Sequence, residues 1–318
     1  MPEPIACSNV AVMSHQPPSH KVAYLFLALA SLFWAFNIVL ARALHADIPP
    51  IALNFWRWTI ALAIVLPFMI RQAAAQWAAV RREWRYLALL GFTGMAAFHC
   101  LQYYALNLTT AINVSLILAI TPVAIPIMAW MFWGDRMSPR QGVGIILSFV
   151  GVAAIVTRGD PMAVLSRGLA PGDLVEVAAM ILWSLYSTLV RWRPPDLHPN
   201  TVLVCSMAPA VFFILPAYLW ETANVRAMPL DWQSLAMVAY VSLMASVAAF
   251  IFFNRAVEVV GPTRAGLFIH LIPMFATGAA VAFLGERVFP YHGVGAAAIA
   301  AGLYLTTTQG RPAATARR

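Results

Sequence analysis

The sequence predicts an all-α membrane protein: ten transmembrane helices forming two inverted five-helix repeats, with both termini cytoplasmic. Three observations carry this. Of 318 residues, 62% are hydrophobic and 10% charged, against roughly 45–50% and about 25% in soluble domains. The apolar residues gather into ten runs of membrane-spanning length, and the second five resemble the first five. The runs are continuous rather than alternating, which argues against a β-barrel.

A hydrocarbon core about 30 Å thick takes roughly 20 helical residues. The first run, 22–41, lies between Lys21 and Arg42. The second, 51–70, starts after Pro49-Pro50 and stops at Arg71. The third, 86–106, follows Arg85, and the fourth, 111–133, ends at Gly134. The fifth, 141–157, lies between Arg140 and Arg158, and the sixth, 174–190, between Asp173 and Arg191. The seventh, 201–220, ends at Glu221, and the eighth, 234–253, at Asn254. The ninth, 265–284, lies between Arg264 and Gly285, and the tenth, 291–308, follows Pro290.

Orientation follows from cationic residues in alternate connections. With the N-terminus inside, the cytoplasmic segments hold 14 Lys and Arg and the external loops five. Hence residues 1–21 form a cytoplasmic tail, 22–157 the first repeat, 158–173 an external linker, 174–308 the second repeat and 309–318 a cytoplasmic tail. The first twenty residues contain no Lys or Arg and do not open like a signal peptide. The net charge of +8 comes mostly from arginines scattered singly or in pairs between apolar runs. That spacing suits anionic headgroups and excludes the clustered basic face of a nucleic-acid binder.

The repeat is legible in detail. GDRMSPRQGVG at 134–144 aligns without gaps to GERVFPYHGVG at 285–295, an offset of 151 that also pairs Pro122 with Pro273. LFWAFNIVLAR at 32–42 resembles ILWSLYSTLVR at 181–191, which pairs Trp34 with Trp183. Five spans per half is an odd number, so the second half enters the membrane inverted, an architecture of transporters.

TPVAIPIMAWMFWGDRMSPRQGVG with its second copy, and NRAVEVVGPTRAG at 254–266, resemble the EamA family of the drug/metabolite transporter superfamily. The chain looks most like the YddG-type exporters of aromatic amino acids and related metabolites. The likeness covers roughly residues 22–308 and implies a multi-pass bundle in a bacterial-type inner membrane that exports small molecules.

Candidate residues follow from what lipid tolerates. Pro122 and Pro273 break helical hydrogen bonding at matched places and are read as mid-helix hinges. His99 shares a helix face with Met95, Gln102 and Tyr103, a polar and aromatic stripe suited to a cavity wall. His270 stands three residues before Pro273. Trp34 and Trp183, at matched mid-span positions, are joined by Tyr186 and Phe250 as ring faces, and Asn37, Ser246 and Asn254 offer hydrogen bonds. Arg57 and Glu176 lie near the outer ends of their spans, where they can snorkel to the surface or pair as an external gate. The small-residue faces Gly144/Ser148/Gly151 and Gly295/Ala298/Gly302 favour close packing within a monomer over homodimerisation.

A mostly apolar cavity with a few polar groups suits a small amphipathic ligand, with an aromatic ring stacked and a zwitterionic head hydrogen-bonded. A phosphosugar or nucleotide-sugar exchanger would need several buried cations, and only Arg57 is offered. An intramembrane enzyme would need a nucleophile or metal constellation, and none is present. A passive pore is the remaining alternative. No cofactor or metal is expected, because Cys7, Cys100 and Cys205 lie far apart. Proton coupling would fall to His99 or His270; the lack of a deep carboxylate favours facilitated exchange.

Overall fold

The computed structural model describes residues 19–134, 138–160, 162, 169–191, 193–260, 265 and 268–307. Helix α1 (His20–Ala43) is capped by Ser19, whose hydroxyl accepts from the Val22 amide. Helix α2 (Pro50–Ala75) opens on proline, which lacks the amide a first turn would leave unpaired. A short α3 (Trp77–Arg82) leads into α4 (Trp84–Leu90), which continues through a π-helical stretch, Gly91–Ala97, into α5 (Phe98–Leu108). Next come α6 (Ala111–Leu118), capped by Thr110, then α7 (Thr121–Trp133) and α8 (Pro139–Val156). Helix α8 starts with a reciprocal cap between Ser138 and Gln141.

The second half gives α9 (Pro171–Arg191), α10 (Pro199–Asn224) and α11 (Trp232–Tyr240). A second π-helical stretch, Val241–Ala248, joins α11 to α12 (Ala249–Val260), followed by α13 (Leu271–Leu284) and α14 (Pro290–Thr307). Gly134 and Gly285 end α7 and α13 in the left-handed conformation, φ 70° and 65°, which glycine adopts without a Cβ clash. The partner of Gly285 in this role, the Gly-Asp-Arg turn, has its Asp135 and Arg136 outside the described residues.

Seven of these helices, two of them counted through their breaks, are long and apolar enough to cross a membrane. The chain is a multi-pass integral membrane protein. Side chains such as Phe68, Phe212 and Phe283, 83%, 70% and 72% exposed, form an outer surface that only lipid would solvate favourably.

Irregularity recurs at matched places. The π-helical stretches fall at 91–97 and 241–248, within a residue of the 151-residue offset. The fourth apolar run is broken after Leu118, and α13 begins only after a turn at Ile269–His270. This corrects the reading of Pro122 and Pro273 as mid-helix kinks. Both stand in the first turn of a new helix, where a missing amide costs nothing. Pro126 alone lies within α7.

The packing repeats too. Helix α1 lies against α12 and α13, and its counterpart α9 lies against α5 and α7, while α2 pairs with α10, α6 with α13 and α8 with α14. Exchanging the two halves leaves this pattern unchanged. The α8–α14 contact is the tightest: a Cβ on Gly144 would sit 2.5 Å from the Gly302 carbonyl oxygen, and one on Gly151 2.7 Å from that of Gly295. The two small-residue faces are therefore used up against each other within one chain.

Candidate functional site

Both broken segments flank a cavity of about 410 Å³ between the two halves. Its walls carry Ser115, Leu118, Thr121 and Pro122 from the α6–α7 break, and Ile269, His270 and Pro273 from the turn before α13. From α1 come Trp34 and Asn37, from α5 His99 and Gln102, from α9 Trp183 and Tyr186, and from α12 Phe250 and Asn254. The cavity extends to Val190, Arg193 and Pro199, at the α9–α10 connection.

The matched tryptophans present different surroundings. Trp34 donates its indole N–H to the Ala245 carbonyl at 3.0 Å, within the second π-helical stretch, and meets Phe250 edge-on with centroids 5.7 Å apart. Trp183 stacks on Tyr186 at 5.0 Å and leans on Phe98 at 4.7 Å. His99 lies edge-on to Phe98 and to Trp58 at 4.5 and 5.4 Å. Trp34, Phe98, Trp183, Tyr186, Phe250 and Phe253 thus set aromatic rings into a wall that is otherwise mostly aliphatic and polar.

Arg57 departs from the sequence expectation. It is 1% exposed and points into the bundle rather than to an external surface. Its Nε donates to Ser246 Oγ at 2.6 Å and its Nη1 to Tyr103 Oη at 2.7 Å. Tyr103 in turn donates to Asn37 Oδ1 at 2.7 Å, and Ser246 to the Val241 carbonyl at 2.9 Å. Tyr103 and Ser246 therefore brace Arg57 and do not form part of the cavity wall. Glu176 is also fully buried and, among the described residues, receives only the Gln102 amide, at 3.5 Å. Neither residue snorkels, and they form no ion pair with each other.

The profile of the EamA-like transporter family matches residues 21–157 and again residues 170–308. The chain belongs to the EamA-like transporter family. It is 25% identical over 287 residues to an "Uncharacterized transporter" of Archaeoglobus fulgidus, covering 90% of this chain and 97% of that one. A "Probable terminal-alkyne amino-acid exporter" of Streptantibioticus cattleyicolor is 26% identical, over 78% of this chain and 79% of its own. The "Aromatic amino acid exporter YddG" of Ancylobacter novellus is 23% identical, over 70% and 75%. A solved crystal structure superposes with a TM-score of 0.56 at 19% identity, covering 90% of this chain and 96% of its own, which shows the shared fold.

In this EamA-like transporter, polar contacts knit the end of the bundle opposite the α9–α10 connection. Glu286 accepts from the Ala111 and Ile112 amides at 2.8 and 3.1 Å, capping α6, and lies 4.0 Å from Arg42. Arg42 donates to the Leu106 carbonyl at 2.7 Å. Glu221 accepts from the Ile51 and Ala52 amides at 3.2 and 2.7 Å, capping α2, and Arg226 reaches the carbonyls of His45 and Ala46. His292 takes the Phe289 amide on Nδ1 at 3.0 Å, so Nε2 carries the proton and donates to Asn113 Oδ1 at 2.9 Å. Asn113 and Thr109 both donate to Asp173.

Residue spacing gave no sign of these long-range caps, nor of Arg193 in the cavity wall. The sequence did contain one usable signal for Arg193: a cation three residues beyond the end of the span that carries Trp183 and Tyr186. Among the described residues, no group of three His, Cys, Asp or Glu stands together as a metal site would require.

Proposed function

We propose that this transporter exports amino acids of aromatic or hydrophobic type, and related small metabolites, by alternating access in a bacterial-type inner membrane. The observation that carries this reading is the single cavity wall formed by Trp34, Trp183, Tyr186 and Phe250 with Asn37, Gln102 and His99 between the two halves. Ring faces suit an apolar side chain and the interspersed polar groups a zwitterionic head. The names of the exporters from Streptantibioticus cattleyicolor and Ancylobacter novellus support the same class.

Ten spans with both termini cytoplasmic would place the α9–α10 connection inside. The cavity then faces the cytoplasm, and the knitted end faces out. Rocking the halves about the broken segments at Pro122 and Pro273 would open the other side. Among the described residues no carboxylate lines the cavity, so facilitated exchange is favoured, with His99 and His270 as hydrogen-bonding groups. Counterflow of labelled phenylalanine, tryptophan and leucine in proteoliposomes tests the reading. Saturable exchange is expected at equal pH, with no uphill accumulation when a one-unit gradient is imposed. Absence of exchange for every amino acid would overturn it, and gradient-driven accumulation would replace facilitation with proton coupling.

A further inference from the structure

The cavity is strongly one-sided in charge. Arg57 lies in its wall and Arg193 at its α9–α10 end, and among the described residues no aspartate or glutamate joins them. Among the described residues, no carboxylate lies within 4.0 Å of Arg57. Its two hydrogen-bond partners, Ser246 and Tyr103, are neutral hydroxyls, and Nη2 has no partner among the described residues. The Trp58 ring, its centroid 5.1 Å from Arg57 Cζ, adds a cation–π contact, but neutral hydroxyls and a ring face supply no counter-charge to a buried cation. The braces do something else: gripping Nε and Nη1, they fix the guanidinium plane and leave the rest of its fork for another acceptor. A planar fork matches a carboxylate in geometry and charge.

We propose that Arg57 is the anchor for the carboxylate of a substrate monoanion or zwitterion, so that the cavity selects amphiphiles bearing a carboxylate and rejects amines that lack one. The apolar tail of such a ligand lies against Trp34, Trp183 and Phe250, and Arg193 raises the local concentration of anions at the cavity's α9–α10 end. A single braced cation in the wall matches one negative charge rather than the two of a phosphate ester. The inference rests on the export reading only for the direction of flux and the natural ligand, not for the anchor itself.

The test uses two ligands of similar shape and opposite charge at pH 7, 3-phenylpropionate and 3-phenylpropylamine. Each is titrated against the purified full-length protein in detergent, with thermal stability as the readout. The carboxylate should bind at least tenfold more tightly than the amine, and Arg57→Gln should abolish that preference while Arg57→Lys retains part of it. If Arg57→Gln does not fold, Arg57→Lys decides in its place: its preference for the carboxylate should fall below the wild-type value, and an unchanged preference would overturn the anchor. Equal or tighter binding of the amine, binding of neither ligand, or an undiminished preference in Arg57→Gln would overturn the anchor. Carboxylate binding without counterflow of any amino acid would keep the anchor and remove the export reading. Amino-acid counterflow inhibited equally by both probes would do the reverse.

Discussion

Trp34 and Trp183 occupy matched sequence positions, yet the protein uses them differently. Trp34 is tied by its indole N–H to a backbone carbonyl of the π-helical stretch, whereas Trp183, among the described residues, is held by ring contacts. Removing either ring takes a large apolar face from the cavity, worth about 0.5–1.5 kcal/mol of aromatic contact, up to about tenfold in affinity. Trp183→Ala should therefore weaken counterflow of an aromatic amino acid by up to about tenfold with expression unchanged. Trp34→Ala should do the same and lower thermal stability as well, because it also deletes a half-buried hydrogen bond. Undiminished exchange in both would assign these rings to packing. Tyr103→Phe tests the brace: it strips Arg57 of one acceptor and Asn37 of its donor, so stability should fall by roughly 1–3 kcal/mol. Helical spacing correctly put Tyr103 on the face of His99 and Gln102. It could not show that the Arg57 side chain meets Tyr103 behind the cavity wall, because periodicity fixes the direction of a side chain and not what crosses its path.

Breaks and close approaches decide the behaviour of whole elements. Matched prolines stand beside the two breaks, but a proline inside a helix and one opening a new helix look the same in sequence. The difference lies in whether the preceding residues keep helical hydrogen bonding, which tertiary packing settles. The π-helical stretches at 91–97 and 241–248 were not legible, since their small and apolar residues also suit an α-helix. The small-residue faces were legible, and they make a sharp prediction. In α8, Gly144 and Gly151 meet backbone carbonyls of α14, whereas a Cβ on Gly142, in the same helix, meets nothing within 4 Å. Gly144→Ala and Gly151→Ala should each destabilise by about 1–3 kcal/mol through overpacking. Gly142→Ala should be neutral or stabilising by up to about 1 kcal/mol, from helix propensity. Thermal unfolding in one detergent compares all three, and equal melting temperatures would mean that α8 and α14 are not in backbone contact. Capping at the knitted end gives a second handle: Glu286→Ala removes the acceptor for two α6 amides and should cost about 1 kcal/mol.

For the molecule as a whole, the repeat carried most of what could be read in advance. Similarity between the halves required a packing pattern unchanged by their exchange, and the pairings of α1 with α12, α9 with α5, α2 with α10 and α8 with α14 have that property. If each half has five spans, one half is inverted against the other, and the distribution of arginines then sets the orientation, so the two are tested together. Leu230, 85% exposed before α11, lies at the knitted end, and Arg81, also exposed, follows α2 at the other. In a background lacking Cys7, Cys100 and Cys205, Leu230→Cys should react with a membrane-impermeant maleimide in intact cells. Arg81→Cys should react only after permeabilisation. The same pair bears on the cavity. An inward-facing state leaves Ser187, in the cavity wall near the α9–α10 connection, open to the Arg81 side. Ser187→Cys should then label from the cytoplasmic side alone, and a bound substrate should slow that labelling by occluding the path. Reaction at Arg81→Cys from outside would reverse the orientation and make the cavity outward-facing. Labelling at Ser187→Cys from both sides at once would replace alternating access with an open pore.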